Sequence, residues 1–167
     1  DAKLVRRIGA EQELFLVDAR GRPAPLALEV IAAAADDHLT TELGRFNLEF
    51  NLDPLELRGD CFARLEAQSE QLLAVVRQAA ARVGARPVMC GILPTIHPGD
   101  LTLEAMTPRP RYRALDEALR RLRGESFTFR IRGADELLVR HDSVMLEACN
   151  TSFQVHLQVD PANFAVA

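Results

Sequence analysis

The chain has only three cysteines, Cys61, Cys90 and Cys149, and none is spaced as CxxC. An odd count without that spacing excludes a self-contained disulfide framework and points to reduced thiols in a cytoplasmic protein. Each cysteine then reads as a small buried hydrophobe. No run of 18 apolar residues occurs, so no membrane-spanning helix is expected. The opening DAKLVRRIGAEQ lacks the apolar segment of a secretory signal. Positive charge is also scarce: 20 Lys and Arg against 24 Asp and Glu leave a net charge of −4. The basic residues are scattered apart from an arginine group within 109–123, which argues against broad nucleic-acid binding. There is no internal repeat, no low-complexity linker and no Gly-rich phosphate loop of the Walker type.

What is present is one domain's worth of chain. At 167 residues, 48% hydrophobic and 26% charged, it can bury a sizeable core without disulfide or metal staples. It has no initiator methionine, and PANFAVA ends it just after a strand, so it reads as part of a longer protein. Residues 4–17 are strand-like, and 19–25 form a turn on Gly21, Pro23 and Pro25. An Ala-rich helix is expected over 28–37. An alternating strand over 42–52 stops at Asp53-Pro54. Asp60 is placed to cap a long helix reaching about residue 83, with Phe62, Leu65, Leu72, Leu73, Val76 and Val83 on one stripe and Gly84 at its end. A short strand over 87–93 and a basic helix over 111–123, ended by Gly124, follow. Residues 127–132 read as a strand, 135–142 are ambiguous, and 144–159 form the longest strand candidate, bent near Asn150. Strands and helices mix without strict βαβ alternation. The fold class expected is α+β, a mainly antiparallel sheet with helices packed on one face.

Strand faces carry the functional signal. In GAEQELFLVD, side chains alternate, so Glu11 and Glu13 share a face with Phe15 and Val17, opposite Gln12, Leu14 and Leu16. In FNLEFNL, Phe46, Leu48, Phe50 and Leu52 oppose Asn47, Glu49 and Asn51. In SFQVHLQV, Phe153, Val155, Leu157 and Val159 oppose Ser152, Gln154, His156 and Gln158. Strands lie about 4.8 Å apart and same-face neighbours about 6.7 Å apart, so pairing would gather Glu11, Glu13, Glu49 and His156 into one small patch. The apolar residues Phe46, Leu48, Phe50, Phe153, Val155 and Leu157 are expected to face helices, the long one included, as the main core.

The same pattern also describes the wet face of a half-exposed antiparallel sheet. Wet faces mix lysine and arginine among their acids, however, and these strand faces carry neither. Clustered carboxylates raise one another's pKa unless a cation sits among them. Oxygen ligands from separate strands, with one imidazole, suit Mg²⁺ or Mn²⁺, and Mg²⁺ commonly engages substrate phosphates.

Taken in order, GAEQELFLVD, ELGRFNLEFN, GILPTIHPGD, TPRPRYRAL and SFQVHLQV resemble the glutamate–cysteine ligase type 2 (carboxylate–amine ligase) family, of the glutamine synthetase-like fold. The likeness runs over residues 8–161. It implies an ATP-dependent ligase that activates a carboxylate, typically the γ-carboxylate of glutamate, as an acyl phosphate for attack by an amine. ATP and Mg²⁺ or Mn²⁺ would be the cofactors, and a glutamate-like amino acid and an amine the partners. Glu11 and Glu13 match the first metal-binding pair, and Glu42 and Glu49 the acidic positions of the second motif. His156, with Gln154, matches polar positions on the strand lining the nucleotide and metal site, although FQVHLQV departs from the commoner GxHVHVG. The family's catalytic domain is about twice this length, so the chain corresponds to its N-terminal half.

Several residues keep two readings. Glu42, at the start of its strand, is also placed as a turn-end surface acid, and His156, between Val155 and Leu157, as a core histidine. Asn47, Asn51 and Gln154 either hold substrate or orient the ligands. Arg111 is placed to recognise a substrate carboxylate bidentately, against a plain surface role at the helix start. No catalytic base is assigned. A sheet cut midway leaves an open edge, which favours self-association into a homo-oligomer. The rival to a ligase is a non-catalytic module that binds a metal or amino acid on the same sheet.

Overall fold

Strand β1 (Arg7–Val17) is the axis of the structure. The computed structural model describes residues 5–123, 126–161 and 164. Helix α1 (Ala27–Ala34) follows β1, then strands β2 (Leu39–Thr41), β3 (Asn47–Asn51) and β4 (Leu55–Glu56). Helix α2 (Cys61–Arg82) leads to β5 (Arg86–Val88), and helix α3 (Pro110–Arg123) to the hairpin of β6 (Phe127–Arg132) and β7 (Glu136–His141). A 3₁₀ segment, Val144–Cys149, precedes β8 (Phe153–Leu157).

All pairings in the main sheet are antiparallel. β1 is long enough to take two partners on each edge. β3 pairs with residues 11–15 and β4 with 7–8, while β8 pairs with 8–12 and β5 with 15–17. The overlapping registers put β3 and β4 on one edge and β8 and β5 on the other. β2 extends the sheet beyond β3.

The alternation read from the sequence decides which face of β1 is dry. Leu14 and Leu16 enter one apolar cluster with Leu48, Phe50, Val30 of α1 and Leu65, Leu72, Leu73 and Val76 of α2. Phe15 and Val17, on the opposite face, join a second cluster with Leu43, Phe46, Tyr112, Val144 and Met145. The polar residues of β1 therefore lie between a helix-covered face behind them and a smaller apolar cap at one end. The fold is α+β with a mainly antiparallel sheet, as the sequence implies.

Several elements differ from expectation. The long helix begins after Asp60, but the Asp60 carboxylate makes no capping hydrogen bond. Phe62 is 66% exposed, and Cys61 takes its place on the buried stripe. Phe46 precedes β3 and turns to the second cluster, where its ring stacks on Phe15 at 6.4 Å. The strand expected over 144–159 is instead 3₁₀ up to Cys149 and extended from Phe153. Ser143 Oγ accepts from Met145 N, Asp116 accepts from Val144 N at 2.9 Å, and Val144, Met145 and Ala148 bury at helical spacing. Residues 135–142, ambiguous in sequence, supply β7. The strand expected over 87–93 shortens to β5. Phe153, Val155 and Leu157 are 53–56% exposed, so β8 does not carry main core. Phe153 and Val155 do point to the α2 side, lining an open groove with Phe62 and Leu65. Leu4 and Gly124, assigned as a strand start and a helix stop, lie outside the described residues.

Candidate metal centre

Register brings the acids together. Glu13 stands directly opposite Glu49 across β1 and β3, and Glu11 opposite Asn51. On the other edge, Glu11 faces Gln154 and Gly9 faces His156. Glu42 arrives from just beyond β2, in the stretch before β3. One carboxylate oxygen from each of Glu13, Glu42 and Glu49 lies within 4.8 Å of the other two. Two full like charges at that distance repel by roughly 3 kcal/mol at an effective dielectric of 20. Three such charges do not stay ionised together without a counter-charge.

The cluster answers by holding a proton. Burial, then the charges of Glu49 and Glu13, push the Glu42 carboxyl up to about 7. Glu49, 8% exposed, is also raised by burial; the hydrogen bond from Asn51 Nδ2 at 2.7 Å opposes this. A hydrogen bond between Glu42 and Glu49 raises the first and lowers the second, which makes Glu42 the proton carrier. A proton occupies the electrostatic role that a divalent cation would fill.

β8 fixes the third acid. Glu13 Oε2 accepts from Ser152 N at 2.8 Å and Ser152 Oγ at 3.2 Å, and Glu13 Oε1 accepts from Gln154 Nε2 at 3.0 Å. Gln154 thus orients an acid of the cluster. Glu11 stands outside the trio and meets His156 Nε2 at 3.3 Å. Gly9, opposite His156, offers no side chain to compete for the imidazole.

The remaining sequence candidates border this cluster. Asn47 shares the β3 face of Glu49 and is only 2% exposed. Neither its Oδ1 nor its Nδ2 has a hydrogen-bond partner among the described residues. Arg111 stacks over the Tyr112 ring at 4.6 Å and donates to its hydroxyl, which in turn donates to Thr41 O at 3.1 Å. The Tyr112 hydrogen bond chiefly raises the Arg111 pKa, with further contributions from Glu42 and Glu49. The acids therefore have a cation within electrostatic reach, supplied by a loop and helix start and not by the strands.

Asn51 donates to Glu49, the orienting role that the sequence offered it, and Ser152 donates to Glu13, a role that strand alternation alone did not assign. The signal for Ser152 was present, since it shares a face with Gln154 and His156. Glu147 also borders the cluster, and it was hidden by reading 144–159 as one strand.

Three hard oxygen ligands set around an excess of negative charge fit a divalent cation such as Mg²⁺ or Mn²⁺, with Glu11 and His156 paired beside them. Among the described residues, no helix is long and apolar enough to cross a membrane.

"Putative glutamate--cysteine ligase 2-3" of Rubrobacter xylanophilus is 34% identical over 116 residues, covering 67% of this chain and 30% of that protein. "Putative glutamate--cysteine ligase 2-1" of a Nocardioides species is 33% identical over 123 residues, covering 66% of this chain and 30% of that protein. The chain thus matches under a third of the length of these relatives. No solved structure matches it significantly. The profile of glutamate-cysteine ligase family 2 matches residues 7–167, and the chain belongs to that family.

Proposed function

We propose that this chain forms the cation-binding part of an ATP-dependent carboxylate–amine ligase acting on glutamate or a similar amino acid. The observation that carries the reading is the convergence of Glu13, Glu42 and Glu49 to within 4.8 Å on the face of a sheet. In this reading Glu13, Glu42 and Glu49 hold one divalent cation, Glu11 is a ligand of a further one, and His156 is a ligand beside it or a contact to a phosphate of ATP. When bound, the cations supply positive charge against the phosphoryl oxygens.

The chain's own residues set the geometry for that task. Ser152 and Gln154 hold Glu13, and Asn51 holds Glu49, so the ligands need little reorganisation. Arg111, kept in place by Tyr112, recognises an anionic group of the substrate. A carboxylate oxygen of the substrate attacks the γ-phosphorus of ATP, giving an acyl phosphate and ADP. The amine then attacks the acyl carbon, inorganic phosphate leaves, and the amine loses a proton.

The test combines cation binding with turnover. Calorimetric titration of Mn²⁺ is expected to show tight binding that Glu13→Gln weakens by tenfold or more; equal affinity in both proteins sinks the ligand assignment. ADP release with glutamate and a panel of amines is expected from a protein extended to its relatives' length, and not from the 167 residues alone. Cation binding without turnover at either length would leave a binding module in place of a ligase.

A further inference from the structure

Beside the three clustered acids lies a cleft of about 250 Å³, lined by Glu13, Glu42, Asn47, Glu147, Asn150 and Thr151 among others. Its chemistry differs from that of the cation cluster. Glu13 and Glu42 form the shared wall, while Glu147 and Asn150 come from the 3₁₀ segment and the turn into β8. Glu147 has no cationic partner among the described residues.

Asn47 is the second, independent sign of a ligand here. It lies on the site face of β3, lines the cleft and is 2% exposed, with both polar atoms of its amide unpaired. A buried amide left unsatisfied costs about 1–3 kcal/mol, so such groups are rare without a role. The chain also makes room for it. A Cβ on Gly44 would come within 2.5 Å of Asn47 Oδ1 and 3.1 Å of the Ala148 Cβ. Gly44 therefore keeps the amide seated at the cleft floor.

We propose that this cleft receives the amino group of the amine substrate, an inference that rests on the ligase reading above. The lining explains the choice. Glu147 is a carboxylate, Asn47 and Asn150 offer carbonyl oxygens, and Glu13 and Glu42 keep the region negative. An anion would be repelled, whereas a primary ammonium donates up to three hydrogen bonds to such a set. The volume admits the head of a small amino acid and no nucleotide. The shared wall would set that nitrogen beside the cation cluster, and transfer of one ammonium proton to the Glu147 carboxylate would free the lone pair that attacks the acyl carbon.

L-alanine and L-lactate, equal in size and differing in ammonium against hydroxyl, are suitable probes in saturation-transfer NMR with Mg²⁺ present. L-alanine is expected to bind about tenfold or more tightly than L-lactate, the scale of hydrogen bonds to a charged group. Glu147→Gln should bring the two probes close to parity, and Asn150→Ala should weaken L-alanine several-fold; both residues are exposed, so neither change threatens folding. Mn²⁺ in place of Mg²⁺ should broaden the alanine methyl signal, placing it beside the cluster. Equal binding of the two probes, or a preference unchanged by Glu147→Gln, overturns the proposal. A failure of Mn²⁺ itself to bind overturns the cation reading, while the alanine preference in cation-free buffer still decides the cleft.

Discussion

Glu13 and Glu49 face each other as register partners on β1 and β3, and each is held by a donor from a different neighbour. Gln154 and Ser152 hold Glu13 from β8, and Asn51 holds Glu49 from its own strand. Like charges directly opposite on a sheet are destabilising. Burial and the neighbouring acids raise the Glu42 carboxyl to about 7, so below that pH it holds a proton that lessens the repulsion. The energetic conflict is local, and an incoming cation relieves it.

That conflict sets a pH dependence. The Glu42 carboxyl has its pKa raised from 4.5 to about 7, so between those values the folded protein binds more protons than the unfolded chain. Cation-free stability should therefore fall as pH rises from about 4.5 to 7, by roughly 1–2 kcal/mol once solvent screening of this half-exposed group is allowed for. Urea melts at pH 5 and pH 8 without cation measure it, and saturating Mn²⁺ should remove the difference. Mn²⁺ affinity should rise with pH up to about 7, with proton release on binding below that pH. Affinity that is flat from pH 5 to 8 would show that Glu42 is not a ligand.

The two apolar faces differ in what they support. Leu48 is fully buried against the α1 and α2 cluster, and Leu48→Ala should cost about 2–5 kcal/mol. Leu157 is 56% exposed on β8, and Leu157→Ala should cost under about 0.5 kcal/mol. Chemical denaturation of both variants checks the contrast. Similar losses in the two would mean that β8 is packed as a core strand after all.

Gly44 links packing to the site. Its missing Cβ leaves room for the Asn47 amide and the Phe46 ring, which a methyl group would meet at 2.5 and 3.0 Å. Gly44→Ala should displace Asn47, cost about 1–3 kcal/mol of stability by overpacking, and weaken Mn²⁺ binding through Glu42, two residues away. Gly59→Ala, with open space around it but a φ of 57°, should destabilise through backbone strain and leave the cation affinity alone. Equal cation affinity in wild type and Gly44→Ala would separate this glycine from the site.

Much of the centre was readable in the strands, because a period of two forces Glu11 and Glu13, or Asn47 and Glu49, onto one face. What alternation does not carry is edge and register. It could not separate Glu11, paired with His156, from Glu13, which joins the trio. Nor could it mark Phe46, one residue ahead of β3, as belonging to a different cluster from Leu48. The apolar run 144–146 looked extended because valine, methionine and leucine suit strands as well as helices. Ser143 and Asp116 settle it, and Asp116 reaches Val144 from 28 residues away on α3. Local sequence does not encode such a contact.

The placement of β8 has a kinetic consequence. β1 and β3 are near in sequence and can pair early, but the hydrogen bonds that hold Glu13 come from Ser152 and Gln154, 139 and 141 residues further along. At about 5–20 residues per second of synthesis, Glu13 awaits these partners for roughly 7–28 s. Pairing over so long a span is slow in refolding as well, since loop closure precedes any gain from the contact. The cation site is therefore among the last parts of the molecule to form, and a cation that requires an oriented Glu13 binds a finished fold and does not nucleate it.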